Sequence, residues 1–283
     1  MKTGLVLEGG GLRVLFSTGI MDVMMEHGIR FDGIIGVSAG ATMGCNYKSE
    51  QPGRSLRYNM NMADDWRYCS LKSWIRTGNL VGAEFAYHTL PLEIDIFDNI
   101  TFTRNSTDFC VVCTDTATAT PVYHRVETMN HEGLEWLRAT ASLPIVSQAV
   151  NIGGFKLLDG GIADSIPLKY WQSEGYQRNI VILTQPAGFR KKRTKLMPVF
   201  HLFCRKYPAI VKAMARRHKM YNAQLDYIQE EAKKGNTLIL CPEKPLRIGR
   251  TEMNRQKMQD IYQAGRDYAR QRIDEIKEFL ATE

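Results

Sequence analysis

The sequence predicts an α/β fold: a three-layer α/β/α arrangement around a mostly parallel central sheet. Three observations carry this. The chain opens strand, helix, strand, which implies a parallel pair. Four further apolar runs, DFCVVCT, FKLLDGG, NIVILT and NTLILCP, read as strands separated by helical patterns. With 283 residues, 44% of them hydrophobic and 24% charged, the chain can bury one large core, and disordered, collagenous and disulfide-scaffold classes are excluded.

Taken in order, Lys2 to Leu7 is a short apolar strand and Gly9 to Gly11 a turn. Leu12 to His27 is a helix with apolar positions at Leu12, Leu15, Phe16, Ile20, Val23 and Met24, stopped by Gly28. A buried strand from Gly33 to Val37 follows, then a sharp bend at Ser38 and a helix that begins with small residues. Around Asp115 to Arg125 the spacing predicts two strands joined by a turn, an antiparallel excursion from the main sheet. Thr251 to Leu280 keeps a helical stripe through Met258, Ile261, Tyr262, Gly265, Ala269 and Ile276, and is expected to be a packing helix. Without a repeat or linker, residues 1–283 are expected to form one domain: a motif-bearing core over about 1–170, completed by 171–283.

The opening MKTGLVLEGGG holds too short an apolar run for a signal segment, and no stretch approaches the ~20 apolar residues of a spanning helix. A cytoplasmic protein is expected, with any membrane contact peripheral and on the inner face. Cys110 and Cys113 form a C-x-x-C within a strand, where residues three apart face opposite sides, so buried thiols are expected and no metal is called for. The net charge of +7 is concentrated locally, since Arg190 to Lys219 holds eleven Lys and Arg and no acid, leaving the remainder net acidic. Interleaved with Leu, Met, Val and Phe, this segment suits an anionic bilayer surface. It equally suits a surface helix whose internal stripe is Ile210, Met214, Tyr221, Leu225 and Ile228. No zinc, RRM or KH motif supports nucleic-acid binding.

Three motifs carry chemistry. Gly36-Val37-Ser38-Ala39-Gly40 matches the nucleophile elbow G-x-S-x-G, a serine on a strained strand-to-helix bend where side chains at Gly36 and Gly40 would strike neighbouring backbone. The bend sets Ser38 at a helix N-terminus, which favours developing negative charge. Glu8-Gly9-Gly10-Gly11-Leu12-Arg13 ends the first strand, and consecutive glycines there can aim several N–H groups at one oxygen, an oxyanion-hole candidate. It is not a phosphate loop, because no Gly-Lys-Ser/Thr follows. Nor is it a dinucleotide fingerprint, because Val14 stands at the third glycine and Asp32 precedes the second strand. Asp159-Gly160-Gly161 follows the strand FKLL, so a carboxylate emerges at a strand end with room beside it.

The glycine run, GVSAG and DGG stand in the order and approximate spacing of patatin-like phospholipases, and ATASLPIVSQAV before the DGG resembles that family's AS-x-x-x-P segment. The resemblance covers about residues 1 to 170. It implies a patatin-like fold with the elbow after the second strand, and a lipid acyl hydrolase of the phospholipase A or esterase type that needs no cofactor. Ser38 would be the nucleophile, Asp159 its general base, and the amides of Gly9, Gly10 and Gly11 the oxyanion hole. Arg13, Gly36, Gly40, Gly160 and Gly161 would support them. Arg13 matches the family pattern, whereas Val14 replaces the glycine that members usually carry next. Two alternatives stay open: a catalytically silent lipid- or membrane-binding protein, and a Ser-His-Asp hydrolase. The latter needs His201 or His218, the only histidines after Asp159, and neither ends an expected strand.

Overall fold

The computed structural model describes residues 1–281. Its strands are β1 (Lys2–Leu7), β2 (Gly33–Val37), β3 (Asp108–Asp115), β4 (Pro121–Arg125), β5 (Val150–Ile152), β6 (Phe155–Asp159), β7 (Tyr176–Ile182) and β8 (Thr237–Leu240). The helices are α1 (Val14–Glu26), α2 (Ala39–Lys48), α3 (Arg54–Asn61), α4 (Leu71–Thr77), α5 (Asn99–Arg104), α6 (His131–Thr140), α7 (Leu168–Ser173), α8 (Met197–Phe203), α9 (Pro208–Lys233) and α10 (Arg255–Ala281). A π-helix spans Phe85–Ile94, and short 3-10 turns cover Gly11–Arg13 and Gly160–Ile162.

All eight strands join one mixed sheet. The β3-β2-β1-β7-β8 portion is parallel throughout, as expected of strands buried on both faces. The other pairings, β4 on β3, β6 on β3 and β5 on β6, are antiparallel. The excursion expected around 115–125 is therefore a hairpin within the sheet: its first arm is the end of β3, and β4 folds back along it.

The register on β3 places the site. Val112 pairs with Val37 of β2 and with Tyr123 of β4, and the next residue, Cys113, pairs with Asp159 of β6 and with Val122 of β4. A strand has two edges, and β4 runs along one of them past both residues. Hence β2 and β6 share the other edge, their C-terminal ends meeting head to head between Val112 and Cys113.

Side chains alternate across the sheet, giving two cores. Leu5, Leu7, Ile34, Val111 and Ile182 point to a cluster completed by α1, α2, α6 and α10. Val6, Ile35, Val112 and Val181 point to a second, completed by Trp171 of α7 and by Tyr221, Leu225 and Ile228 of α9. Cys113 belongs to the first cluster and Cys110 to the second, so these thiols cannot converge on one ion. Helix α10 crosses α1 closely: a Cβ on Gly265 would lie 2.0 Å from the Phe16 carbonyl oxygen, which is why this stripe carries a glycine. It begins four residues later than the sequence pattern predicts. Among the described residues no helix is long and apolar enough to cross a membrane.

Candidate active site

Ser38 follows directly on β2 and caps α2, with φ 55° and ψ −130°, a left-handed backbone that a non-glycine residue adopts only under constraint. Two flanking glycines make the bend possible. A Cβ on Gly36 would lie 2.6 Å from the Ala41 Cα, and one on Gly40 would lie 2.6 Å from the Leu7 carbonyl oxygen. Both collisions are with backbone, as the elbow pattern predicts.

The bend is held from a third side by Thr140, at the end of α6. Its hydroxyl accepts from the Ser38 N–H at 3.0 Å and donates to the Val112 carbonyl oxygen. The hydroxyl thus stands in the gap where β2 leaves β3, satisfying a donor and an acceptor that the ladder no longer pairs. Sequence reasoning missed this residue, although it lies within the ATASLP segment.

Asp159 is the last residue of β6 and is 3% exposed. Its Oδ1 accepts from the Gly161 N–H at 2.8 Å, so the DGG motif is a turn in which the second glycine's amide faces the carboxylate. Burial pushes the Asp159 carboxyl above its ordinary range, against the lowering influence of the Ser38 hydroxyl, Arg217, the Gly161 N–H and Arg250. Ser38 thus acts on the carboxyl, yet Oδ2 is buried without a geometrically complete hydrogen bond. The pair is close but not tightly joined.

The glycine loop lies opposite. The N–H of Glu8 donates to the Ile182 carbonyl and that of Leu12 to the Arg250 carbonyl, while among the described residues those of Gly9, Gly10 and Gly11 donate to no protein acceptor. Glu8 itself is an anchor: its Oε1 accepts from the Tyr221 hydroxyl at 2.6 Å and its Oε2 from the Thr184 N–H at 2.6 Å. Gly11 has φ 60°, and a Cβ there would lie 2.4 Å from the Arg250 carbonyl oxygen. Val14 is fully buried as the first residue of α1 and packs in the core.

One small cleft, of about 40 Å³, collects these groups: Gly9, Gly10, Gly11, Ser38, Asp159 and Gly161 all line it. His201 and His218 do not line it; both lie within the basic segment, on α8 and α9. Arg217 and Arg250 do line it, and neither was singled out from the sequence. Arg217 lies within the basic segment that sequence reasoning assigned to solvent or bilayer, but its Nε donates to the Gly161 carbonyl and its Nη2 to the Ser165 hydroxyl.

A family model described as "Patatin-like phospholipase" matches residues 5–170, more than half of the chain. The chain belongs to the patatin-like phospholipase family. The α/β/α fold described above is the one this membership implies. A second model, described only as a domain of unknown function, matches residues 207–281, which hold all of α9 and α10. Among relatives of this patatin-like chain is the "Uncharacterized protein YjjU" of Escherichia coli, 29% identical over 192 residues, covering 66% of this chain and 53% of that protein. Another is "Lysophospholipase NTE1" of Scheffersomyces stipitis, 27% identical over 284 residues, covering 94% of this chain and 17% of that protein. The chain thus spans about half or less of the length of these relatives. Among solved structures, VipD from Legionella pneumophila matches with 13% identity and a TM-score of 0.48 over 97% of this chain and 67% of that one, a likeness too distant to carry an argument.

Proposed function

We propose that this protein hydrolyses fatty acyl esters of lipids through a Ser38/Asp159 dyad and an acyl-enzyme intermediate. The observation that supports the reading above all others is the shared cleft of Ser38, Asp159 and the three loop glycines. In this mechanism the Ser38 hydroxyl oxygen attacks the ester carbonyl carbon and Asp159 takes the hydroxyl proton. The carbonyl oxygen becomes an oxyanion facing the amides of Gly9, Gly10 and Gly11, where one donor is typically worth about 3–4 kcal/mol of barrier. Collapse expels the alcohol, which takes the proton from Asp159. Water then attacks the acyl-serine, passing a proton to the same carboxylate, and as the fatty acid leaves the Ser38 oxygen takes that proton back. A carboxyl raised by burial is a better base toward a hydroxyl than an ordinary one, which supports the role of Asp159. The name "lysophospholipase" carried by NTE1 relatives supports a lipid ester as substrate.

The experiment is turnover of a p-nitrophenyl acyl ester. Ser38→Ala and Asp159→Asn are each expected to lower kcat by at least a thousandfold, in correctly folded protein, while His201→Ala with His218→Ala keeps the wild-type rate. A collapse in the histidine variant would install a triad instead, and no turnover of any acyl ester by the wild type would leave a silent lipid-binding protein.

We also infer that the enzyme meets its substrate at an anionic membrane through part of Arg190 to Lys219. The support is local. Leu196, Leu202 and Phe203, on and beside α8, are 57%, 65% and 54% exposed, and the exposed cations Arg205 and Lys206 follow at once. The following helix, α9, buries Ile210, Tyr221, Leu225 and Ile228 in the protein, so the bilayer-facing role falls to α8.

A further inference from the structure

The C-terminal region reaches the cleft along one face of α9. Ile210, Met214, Arg217 and Tyr221 follow one another at helical spacing, and between them they meet both arms of the site. Ile210 is fully buried against Leu158, which precedes Asp159, and Ile162, which follows the DGG turn, with Met214 packed on the same cluster. Tyr221 donates to Glu8, the anchor of the glycine loop. Arg217 stands between these contacts and lines the cleft with Ser38 and Asp159.

Two hydrogen bonds fix Arg217 to the DGG turn. Its Nε donates to the Gly161 carbonyl oxygen and its Nη2 to the Ser165 hydroxyl at 3.3 Å, while that hydroxyl donates to the same Gly161 carbonyl at 2.8 Å. Gly161 is therefore held at its carbonyl by α9 and holds the Asp159 carboxylate by its N–H. A Cβ on Gly161 would lie 3.0 Å from Arg217 Nη2 and 3.1 Å from Asp159 Oδ1, so guanidinium and carboxylate crowd the bare face of one glycine. Among the described residues Arg217 forms no ion pair, and its charge acts on the carboxylate through space.

Burial raises the Asp159 carboxyl, and the Ser38 hydroxyl and then Arg217 oppose it, Arg217 being the strongest charge among them. Cys113 on β3 and Tyr87 of the π-helix also face Asp159, but burial raises both and keeps them neutral. Arg138 of α6 is paired with Glu135, which leaves Arg250 as the second cation acting on the carboxylate. An opposite charge this near favours the ionised form of a carboxylate.

We propose that Arg217 is a positioning residue of the hydrolase: it clamps the Asp159-Gly160-Gly161 turn, keeps the base ionised, and is the means by which the C-terminal region completes the active site. This rests on the Ser38/Asp159 reading above. It gives a task to residues 207–281, which lie outside the stretch matched as patatin-like.

The test is the pH profile of kcat/KM for a p-nitrophenyl acyl ester in wild type, Arg217→Met and Arg217→Lys. Turnover requires the ionised carboxylate, so the acid limb follows Asp159. Without the cation the carboxyl rises further, and in Arg217→Met the limb is expected about one pH unit higher, with part of the lost rate returning above it. Arg217→Lys keeps the charge but lacks the fork that spans Gly161 and Ser165, so the limb stays in place while kcat falls about tenfold at unchanged KM. A limb that does not move in Arg217→Met overturns the proposal, because a merely structural role lowers rates without shifting it. Where Arg217→Met does not fold, Arg217→Lys decides: the wild-type kcat in that variant overturns the clamp. Asp159→Asn tells the two readings apart. Turnover in it with the wild-type pH profile removes the dyad itself, whereas an inactive Asp159→Asn beside an unmoved limb in Arg217→Met removes only the role of Arg217.

Discussion

At the scale of single residues, Thr140 does the least conspicuous and most specific work. It carries no charge and touches no reacting atom, yet its hydroxyl bridges the Ser38 amide and the Val112 carbonyl at the point where the strained bend begins. Thr140→Val leaves both backbone groups unpaired in a buried place, at a cost of about 1–3 kcal/mol. Because the bend sets the position of the proposed nucleophile, kcat is expected to fall tenfold or more with little change in KM, and Thr140→Ser to restore most of it. Equal stability and turnover in Thr140→Val would remove this positioning role. Ser38, Asp159 and the glycines were legible because each belongs to a short motif whose residue types have one steric purpose. Thr140, Arg217 and Arg250 were not, since a threonine on a helix and arginines in basic stretches have many ordinary uses and only the fold aims them.

At the scale of elements, strands and long helices were legible from apolar runs and stripes, and β2 falls on the predicted residues. Strand direction was not, because FKLL reads the same whether β6 runs with its neighbours or against them. The basic segment divides in a way that composition cannot reveal: Arg217 lines the cleft and Lys191 lies over the Tyr221 ring, while Arg205 and Lys206 beside α8 face outward. If α8 meets the bilayer, binding to vesicles rich in anionic lipid should weaken about tenfold in Leu202→Ser with Phe203→Ser. It should also weaken as salt is raised from 50 to 500 mM. Vesicle affinity unaffected by both changes would exclude α8 as the contact.

At the scale of the whole molecule, the elbow-bearing half and the C-terminal helix are joined through Asp22 of α1. Its Oδ2 accepts from the Gly53 N–H at 2.7 Å and from the Tyr262 hydroxyl of α10 at 2.6 Å. Burial raises its carboxyl to about 6 in spite of those bonds. A folded-state value above the unfolded one means that the native protein keeps a proton the unfolded chain has lost. Stability from this group is therefore full below about pH 4, falls as pH rises toward 6, and is level beyond. Relative to Asp22→Asn, wild-type stability measured by urea unfolding should drop by roughly 3 kcal/mol across that window. A constant difference would place the proton elsewhere. We propose that both halves unfold together, so each melt should show one transition.

The head-to-head meeting of β2 and β6 has a consequence for how such an enzyme can diversify. Because the spacing of hydroxyl and carboxyl is written in two consecutive rungs of β3, the long excursion between residues 49 and 107 pairs in neither of them. That stretch is free to be lengthened, trimmed or reshaped around new substrates, whereas a single residue inserted into β6 would turn the carboxyl to the opposite face of the sheet.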